Sequence, residues 1–236
     1  MIVAGEYLVG GGQNRMVAAS VYLAAGYHGT IPVRCVEHGR SRGRTREFGY
    51  GGHTNPSVKH SRSQDETWRE VTTTLCEMEI RSYSEDFSQV IAQKDRDLSD
   101  IVERFAIHQD QVGIVAVIGL PDLKKYALEF FDDPEIMKKH YEKIIRALAV
   151  EALPHNNTRI SVDKDEITQF ISGIKSATLS QRHSASKGKD YEITTPFASG
   201  STRIYEDNTT TYITLVSSKP FAQENTTILP TKKGKD

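Results

Sequence analysis

The sequence lacks the features that mark a secreted or membrane-embedded protein. Its two cysteines, Cys35 and Cys76, are too few for a disulfide framework in a chain of 236 residues. The first residues show no basic region followed by a long apolar core, so we expect no signal peptide. The longest apolar run, Val112–Leu120, contains two glycines and falls well short of the roughly 20 residues that a membrane span needs. We therefore expect a soluble, cytoplasmic protein that does not bind a membrane.

The chain also lacks net charge. Lys and Arg number 30 and Asp and Glu number 31, for a formal net charge of −1. No overall field therefore attracts the protein to nucleic acid or to a lipid surface, and such binding would need a local basic patch. Hydrophobic residues make up 37% of the chain, which is sufficient for a sizeable core in one large domain or two small ones.

The first third of the chain is typical of short strands separated by glycine-rich turns. We predict strands over Ile2–Val9, Met16–Leu23 and Thr30–Val36, where apolar residues concentrate between glycines. The next segment, Arg40–His60, is rich in glycine and arginine and has little hydrophobic pattern. We predict a loop there, and long loops in compact domains are usually functional.

Two helices carry clear start signals. Ser63 and Glu66 form a capping box, and apolar residues then recur at helical spacing, which predicts a helix with Trp68 in the core. Pro134–Leu153 follows an N-cap aspartate and has one broad apolar face that includes His140.

Weaker patterns complete the list of elements. We predict a short helix that begins at Ser99 and another over Asp163–Ile174. Gln111–Leu120 is predicted to be a central strand buried on both faces. Ser201–Tyr205 and Thr210–Ser217 have the pattern of a hairpin.

Together these elements predict an α+β fold. The N- and C-terminal strands would form one mixed β-sheet with the helices packed on it, in a single domain over residues 1–218. Residues 219–236 are polar, and we expect them to form a disordered tail.

The densest polar block begins at Gly10, where three glycines precede Gln13, Asn14 and Arg15. A glycine run after a strand can bind phosphate through its N–H groups when a helix follows. Here the following segment is predicted to be a strand, which favours a hairpin turn instead. The three polar side chains suit either a bound ligand or a capped loop.

Cys35 and Glu37 are the candidate catalytic residues. On a strand their side chains point to the same face, so a thiol and a carboxylate would meet if that face lined a pocket. If the face is buried, Cys35 is a small hydrophobic residue and Glu37 needs an ion-pair partner such as Arg15 or Arg40. A structural ion pair is the favoured interpretation, because such networks also perturb carboxylates.

No metal site and no cofactor are predicted. Cys35 and His38 are close in sequence, with His28, His53 and His60 nearby, but no second ligand pair completes a tetrahedral set.

Five arginines fall between positions 34 and 46: Arg34, Arg40, Arg42, Arg44 and Arg46. Guanidinium groups bind phosphate and carboxylate in a bidentate manner. These residues therefore suit a nucleotide, a phosphorylated ligand or an RNA backbone, and they equally suit a solvated basic loop.

The segments GGGQNRMVAASVYLAAGYHGTIPVRCVEHGR, QDETWREV and QVGIVAVIGL together resemble the ARPP-1 family, over about Val9 to Leu215. The family is named for association with ADP-ribosylglycohydrolase and rhodanese-phosphatase proteins, which implies a link to ADP-ribose and NAD metabolism. The matching positions are Gln13, Asn14, Arg15, Cys35, Glu37, Arg40, Asp65 and Trp68. The chain departs from the family pattern at Ser41, where an aromatic residue is common, and at Tyr212–Ile213, where a His-Leu pair is common.

The first functional hypothesis is an enzyme, or a degenerate one, that binds or processes a nucleotide-like anionic ligand such as ADP-ribose. Arg15 and Arg40 would bind phosphates, Gln13 and Asn14 would bind sugar or base, and Glu37 would be the acid or base. Cys35 and Asp65 complete the candidate site, although the helix dipole alone accounts for Asp65 in a first helical turn. The alternatives are an interaction module that binds RNA or an acidic protein through the basic loop, and a component of an oligomeric scaffold.

Overall fold

A computed structural model describes residues 1–40, 43, 45, 47–121, 123–205, 209–217, 221–222 and 227–228. The strands are β1 (Glu6–Gly10), β2 (Arg15–Val17), β3 (Val33–Cys35), β4 (Phe48–His53), β5 (Gly113–Leu120), β6 (Leu123–Phe131), β7 (Thr158–Arg159), β8 (Thr178–Arg182), β9 (Lys189–Thr194), β10 (Ala198–Ile204), β11 (Thr210–Ser217), β12 (Phe221–Ala222) and β13 (Thr227–Ile228). The α-helices are α1 (Pro56–Lys59), α2 (Gln64–Glu77), α3 (Ser88–Val102), α4 (Pro134–Ala152) and α5 (Lys164–Ser172).

The first sheet has the strand order β3-β2-β1-β4, and every pair in it is antiparallel. The glycine run that follows β1 is the turn of the β1–β2 hairpin, as the hairpin interpretation predicts. Gly10 has φ +139°, and a Cβ there would lie 2.2 Å from the carbonyl oxygen of Glu47. The register of β1 and β4 shifts after Tyr7, which places His53 directly opposite Glu6.

The second sheet is built around β6, which pairs with β5, β11 and β12. Beyond β11 the order continues through β10 and β9 to β8, again with antiparallel pairs. The α+β prediction is confirmed, but the N- and C-terminal strands lie in two antiparallel sheets where one mixed sheet was predicted. Short connections such as those of β1–β2 and β5–β6 favour antiparallel neighbours, because a parallel pair needs a long crossover.

Helix α4 contacts both sheets and forms the centre of the core. One side of the helix, which includes Met137, Ile144 and Leu148, packs on β5 and β6. Its last turns also contact α3 and the core under the first sheet. Residues 147–151 of the helix are all buried, as expected for a helix with neighbours on every side. Helix α5 covers the opposite face of the second sheet, where Phe170 packs against Tyr126 and Ile193.

The local start signals are confirmed. The Ser63 side chain accepts a hydrogen bond from the Glu66 N–H, and the Asp133 side chain accepts one from the Glu135 N–H, at the starts of α2 and α4. The predicted helix over 163–174 is α5, with Asp163 as its N-cap. The hairpin of β10 and β11 is also present.

Several predictions of secondary structure are wrong or incomplete. Of the strand predicted over Met16–Leu23, β2 contains only the first two residues. Ser99 does not begin a helix but lies inside α3, where its hydroxyl bonds to the Asp95 carbonyl. The predicted loop over 40–60 contains β4 and α1, because glycines and polar residues hid a strand whose partner is β1. Strand β5 lies at the edge of the sheet, since β6 is its partner among the described residues. Strand β6 was missed, and its two lysines are paired within the fold.

Buried ion pairs cross from α1 and α4 to the second sheet. Lys59 donates hydrogen bonds to Glu129 at 2.6 Å and to the Tyr212 hydroxyl at 2.8 Å. Lys125 pairs with Glu151, which also accepts from the Ser57 hydroxyl at 2.6 Å. Lys59, Glu129 and Glu151 are buried, Lys125 is partly buried, and each has an opposite charge beside it, as buried charges require.

None of the described helices combines the length and the apolar composition that crossing a bilayer requires. Most of the predicted tail over 219–236 lies outside the described residues, as does the boundary at 218, so both stay predictions. Within that range, β12 pairs with β6 and β13 pairs with β7.

Candidate functional site

A cavity of about 690 Å³ lies where the end of β1, the chain after β3 and the connection between α2 and α3 come together. Its walls are formed by Val9, Gly10, Asn14, Glu37, Gly39, Arg40, Thr45, Arg81, Ser82, Tyr83, Ser84, Asp86, Ser88 and Gln89. Three of the predicted site residues, Asn14, Glu37 and Arg40, are among them.

Backbone hydrogen bonds hold the walls together. The N–H groups of His38 and Gly39 both donate to the Ser84 carbonyl, at 3.0 and 2.9 Å, and the Phe87 N–H donates to the Val36 carbonyl at 3.0 Å. The segment between α2 and α3 therefore lies alongside the chain that follows β3. A Cβ at Gly39 would approach the Ser84 Cα to 3.0 Å, so glycine allows the two segments to come this close.

Glu37 has four hydrogen bonds and is 2% exposed. Its Oε1 accepts from Arg40 Nε at 2.7 Å and from the Ser84 hydroxyl at 2.9 Å. Its Oε2 accepts from a second Arg40 nitrogen at 2.7 Å and from the Asn14 N–H at 3.0 Å. Arg40 is thus the ion-pair partner that a buried Glu37 needs, and the pair is bidentate, the strong form of this interaction.

Asn14 links this ion pair to a second carboxylate. Its Oδ1 accepts from the Gly10 N–H at 3.0 Å and from Arg40 at 3.3 Å, while its Nδ2 donates to Asp86 at 2.9 Å. Asp86 also accepts from the N–H and hydroxyl of Ser88, at 2.9 and 2.6 Å. The cavity floor is therefore a connected network whose members fix one another's positions.

The electrostatics keep Glu37 ionised. Burial alone would raise the pKa of its carboxyl, but the hydrogen bonds from Arg40, the Asn14 N–H and Ser84 outweigh burial and lower it. An ionised carboxylate is an acceptor only, so Glu37 has no proton to donate near neutral pH.

The cavity rim differs from its floor. The Tyr83 side chain is fully exposed. Arg81 is also exposed, and its guanidinium has no ion-pair or hydrogen-bond partner in the part of the chain that the structure describes. The rim thus offers an aromatic surface and a cation to a bound molecule.

The other predicted site residues lie outside this cavity. The guanidinium of Arg15 contacts the Cys35 thiol across β2 and β3, and the Cys35 backbone bonds to the Gln64 side chain. Gln13 lies beside the cavity and donates to the His38 carbonyl at 3.2 Å. Asp65 is exposed in the first turn of α2. The structure therefore does not bring Cys35 and Glu37 together in one cavity.

Sequence reasoning missed the contribution of the segment between α2 and α3. Ser84, Asp86 and Ser88 all bond within the network. The local signal is the set of short polar residues at 82, 84, 86 and 88, and it does not indicate which other segment they will contact.

A second cluster, Glu6, His53 and His140, was also missed. His53 ends β4 opposite Glu6 on β1, and His140 reaches them from α4. Glu6 Oε1 lies 3.8 Å from His53 Nε2 and 3.6 Å from His140 Nδ1. Burial and the nearby Lys59 and Lys143 lower the pKa of both imidazoles, that of His140 to about 4.

Comparison with protein families matches the ARG and Rhodanese-Phosphatase-superfamily-associated Protein domain, ARPP-1, over residues 1–216. This range takes in the first sheet, the second sheet apart from β12 and the end of β11, the cavity, and the cluster of Glu6, His53 and His140. No curated protein and no solved structure matches the chain.

Proposed function

We propose that this chain, which belongs to the ARPP-1 family, binds a small anionic ligand of the nucleotide class in the cavity above Glu37 and Arg40. The family description records an association with ADP-ribosylglycohydrolase and rhodanese-phosphatase proteins. ADP-ribose, NAD and AMP are therefore the ligands to test first.

The observation that supports this proposal is the division of the cavity into a hydrogen-bonded floor and an exposed rim. A volume of about 690 Å³ falls within the range of small-molecule sites, roughly 300–1,000 Å³. Arg81 supplies a cation for phosphate, and Tyr83 supplies a face on which a base can stack. The hydroxyls of Ser82 and Ser84 and the Asn14 side chain suit the hydroxyls of a ribose.

The hydrogen bonds of the floor assign different roles to the two arginines. Arg40 donates to Glu37, to Asn14 and to the Gly11 carbonyl at 3.1 Å. We assign it to holding the floor, and we assign the phosphate contact to Arg81. Because both oxygens of Glu37 already accept hydrogen bonds, we propose binding as the function of the cavity and give Glu37 an orienting role.

The test is to measure the binding of ADP-ribose, NAD and AMP to the protein, by thermal unfolding and by calorimetric titration. Binding to the folded state should raise the midpoint of unfolding of the wild-type protein. Arg81→Ala should weaken binding by about 10- to 100-fold, the loss of a charge-assisted hydrogen bond. The stability of the ligand-free Arg81→Ala variant should match that of the wild type, because Arg81 is exposed.

A matched control is Arg69→Ala, an exposed arginine on α2 that does not line the cavity. It should bind every ligand as the wild type does. Tyr83→Ala should weaken the binding of NAD and AMP more than the binding of inorganic pyrophosphate, which has no base to stack. Absence of any stabilisation at millimolar ligand, with folded wild-type protein, would contradict the proposal.

The alternative partners, RNA or an acidic protein, depend on the basic loop. Its residues Ser41, Arg42, Arg44 and Arg46 lie outside the described residues. The alternative therefore stays a prediction, and a salt-dependent complex with RNA is its test.

A further inference from the structure

We propose that Glu6, His53 and His140 form a binding site for one divalent transition-metal ion of the zinc class. This site is separate from the ligand cavity. Strand β1 begins at Glu6 and ends at Gly10, and Gly10 lines the ligand cavity. The two sites are therefore about 13 Å apart along the strand.

The spacing of the three side chains is the first argument. The ligand atoms of all three residues lie within 4.8 Å of one another. The distances from Glu6 Oε1 to the two imidazole nitrogens, 3.8 and 3.6 Å, are too long for hydrogen bonds. They are close to the roughly 3.4 Å that separates two ligands on one tetrahedral zinc ion with bonds of about 2.1 Å. A single small cation between the three groups accounts for this separation.

The second argument is that two buried nitrogens have no hydrogen-bond partner among the described residues. These nitrogens are His53 Nε2 and His140 Nδ1. The side chains are 3% and 6% exposed. Leaving a buried polar atom unsatisfied costs about 1–3 kcal/mol, so two such atoms that converge on one carboxylate need an explanation. His60 shows the contrast, because its Nε2 bonds to the Thr214 hydroxyl at 3.1 Å.

The third argument is that the fold holds the side chains in place. Glu6 and His53 are a cross-strand pair, whose side chains lie on the same face of the first sheet. Glu6 Oε1 also accepts from the Val3 N–H at 3.1 Å. The His140 ring stacks on Phe131 with centroids 5.5 Å apart and planes within 8°. Preorganisation of this kind is what a metal site requires of its surroundings.

The donor set selects the class of metal. Two imidazoles and one carboxylate suit zinc, iron(II) and their neighbours, whereas calcium and magnesium prefer oxygen ligands. Lys59 does not compete for Glu6, because Glu129 and Tyr212 accept its hydrogen bonds. The ammonium of Lys143 lies 4.6 Å from the centre of the Tyr50 ring.

Three protein ligands leave a coordination position for water or a small anion, as in catalytic zinc sites. A cavity of about 330 Å³ reaches the cluster at His53, and Tyr50, Gly52 and Lys143 also line it. It provides an entry route for the ion and for such a ligand.

The test begins with wild-type protein that has been purified, stripped with a chelator and titrated with Zn²⁺ or Co²⁺. We expect one equivalent to bind, the midpoint of thermal unfolding to rise, and Co²⁺ to show the visible absorption of a low-coordinate site. Glu6→Gln and His140→Gln should each weaken binding by more than about tenfold. The His108→Gln control changes an exposed histidine and should bind the metal as the wild type does.

The primary readout is on the wild type, so a variant that fails to fold does not prevent a decision. Folded wild-type protein that takes up no equivalent of either ion would overturn the proposal. Equal binding by folded His140→Gln and His108→Gln would also overturn it, because the ion would then lie on the surface.

Discussion

At the scale of single residues, Glu37 shows how one buried charge organises its neighbours. Its carboxylate accepts four hydrogen bonds, two of them from Arg40. Such an ion pair is costly to bury, yet it is far more costly to break on one side, because the remaining charge is left without a partner.

Arg40→Ala should therefore destabilise the protein at neutral pH. We expect the free energy of unfolding to fall by about 3–5 kcal/mol, the usual effect of stranding one member of a buried pair. Urea denaturation measures this change. Arg81→Ala, which removes an exposed arginine from the same cavity, should stay within about 0.5 kcal/mol of the wild type.

The effect of Arg40→Ala should depend on pH in a defined direction. The folded state lowers the pKa of Glu37, so its contribution is fully present above the pKa of the unfolded carboxyl, about 4.3. The contribution is lost as the pH falls through the lower pKa of the folded state. The difference between variant and wild type should shrink below about pH 4.3, and a constant difference would contradict this assignment.

Part of this network could be predicted from the residues alone. A buried Glu37 needs a cation, and Arg15 and Arg40 are the candidates that the sequence offers nearby. The hydroxyl of Ser84 and the carboxylate of Asp86 could not be predicted, because their contacts with Glu37 and Asn14 form only when distant segments pack. The cluster of Glu6, His53 and His140 could not be predicted either, because Glu6 lies far before His53 in the sequence and His140 lies far after it.

At the scale of elements, α2 ends in a left-handed residue that is not glycine. Ile80 N–H donates to the Leu75 carbonyl and Glu79 N–H to the Cys76 carbonyl, both hydrogen bonds of a Schellman motif. Glu79 has φ +56°, in the left-handed region where glycine is favoured.

Glu79→Gly should therefore stabilise the protein, by about 0.5–1 kcal/mol, because it removes the Cβ strain of the left-handed conformation. The midpoint of urea denaturation measures the effect. The matched control is Glu77→Gly, two residues earlier and also exposed, but inside α2. There glycine should destabilise by about 1 kcal/mol. Two changes of the same sign would show that the backbone at Glu79 is not strained.

Elements with local signals were predicted well, and the others were not. The caps at Ser63 and Asp133 place the starts of α2 and α4 because each cap acts within a few residues. Strand β6 has no such signal. Lys124 and Lys125 interrupt its apolar pattern, and only the fold supplies their partners Glu166 and Glu151.

At the scale of the whole molecule, buried histidines determine how the protein responds to acid. Burial lowers the pKa of His53, His60 and His140, to about 3 for His60 and about 4 for His140. At a pH below about 6.5 and above these lowered pKa values, their imidazoles are neutral in the folded protein and take up protons when it unfolds.

Stability should therefore fall as the pH drops from about 6.5 towards 4. In this interval the unfolded state binds more protons, so each histidine removes up to about 1.4 kcal/mol per pH unit. Glu6 and Glu70 oppose this trend, because burial raises the pKa of each carboxyl, but they are two groups against three histidines. Urea denaturation of metal-free protein between pH 7 and 5 measures the slope.

The slope should be the same in His108→Gln, whose histidine is exposed. Equal stability of the wild type at pH 7 and pH 5 would contradict the prediction, because it would show that unfolding takes up no net protons in this interval.

The overall class was predictable, but the arrangement of the sheets was not. Apolar periodicity predicts α4, and strand patterns at both ends predict an α+β fold. Which strands pair depends on contacts between segments that are far apart, such as β6 with β11. The glycine-rich segment β4 is a strand only because it pairs with β1 at the edge of the first sheet.

The ion pair between Lys59 and Glu129 limits how this sequence can evolve. Each side chain is less than 10% exposed, so a change at either position alone strands the other charge. Removing one member of such a pair costs about 3–5 kcal/mol, a large part of the stability of an ordinary protein. Descendants of this chain should therefore change the two positions together, or keep both.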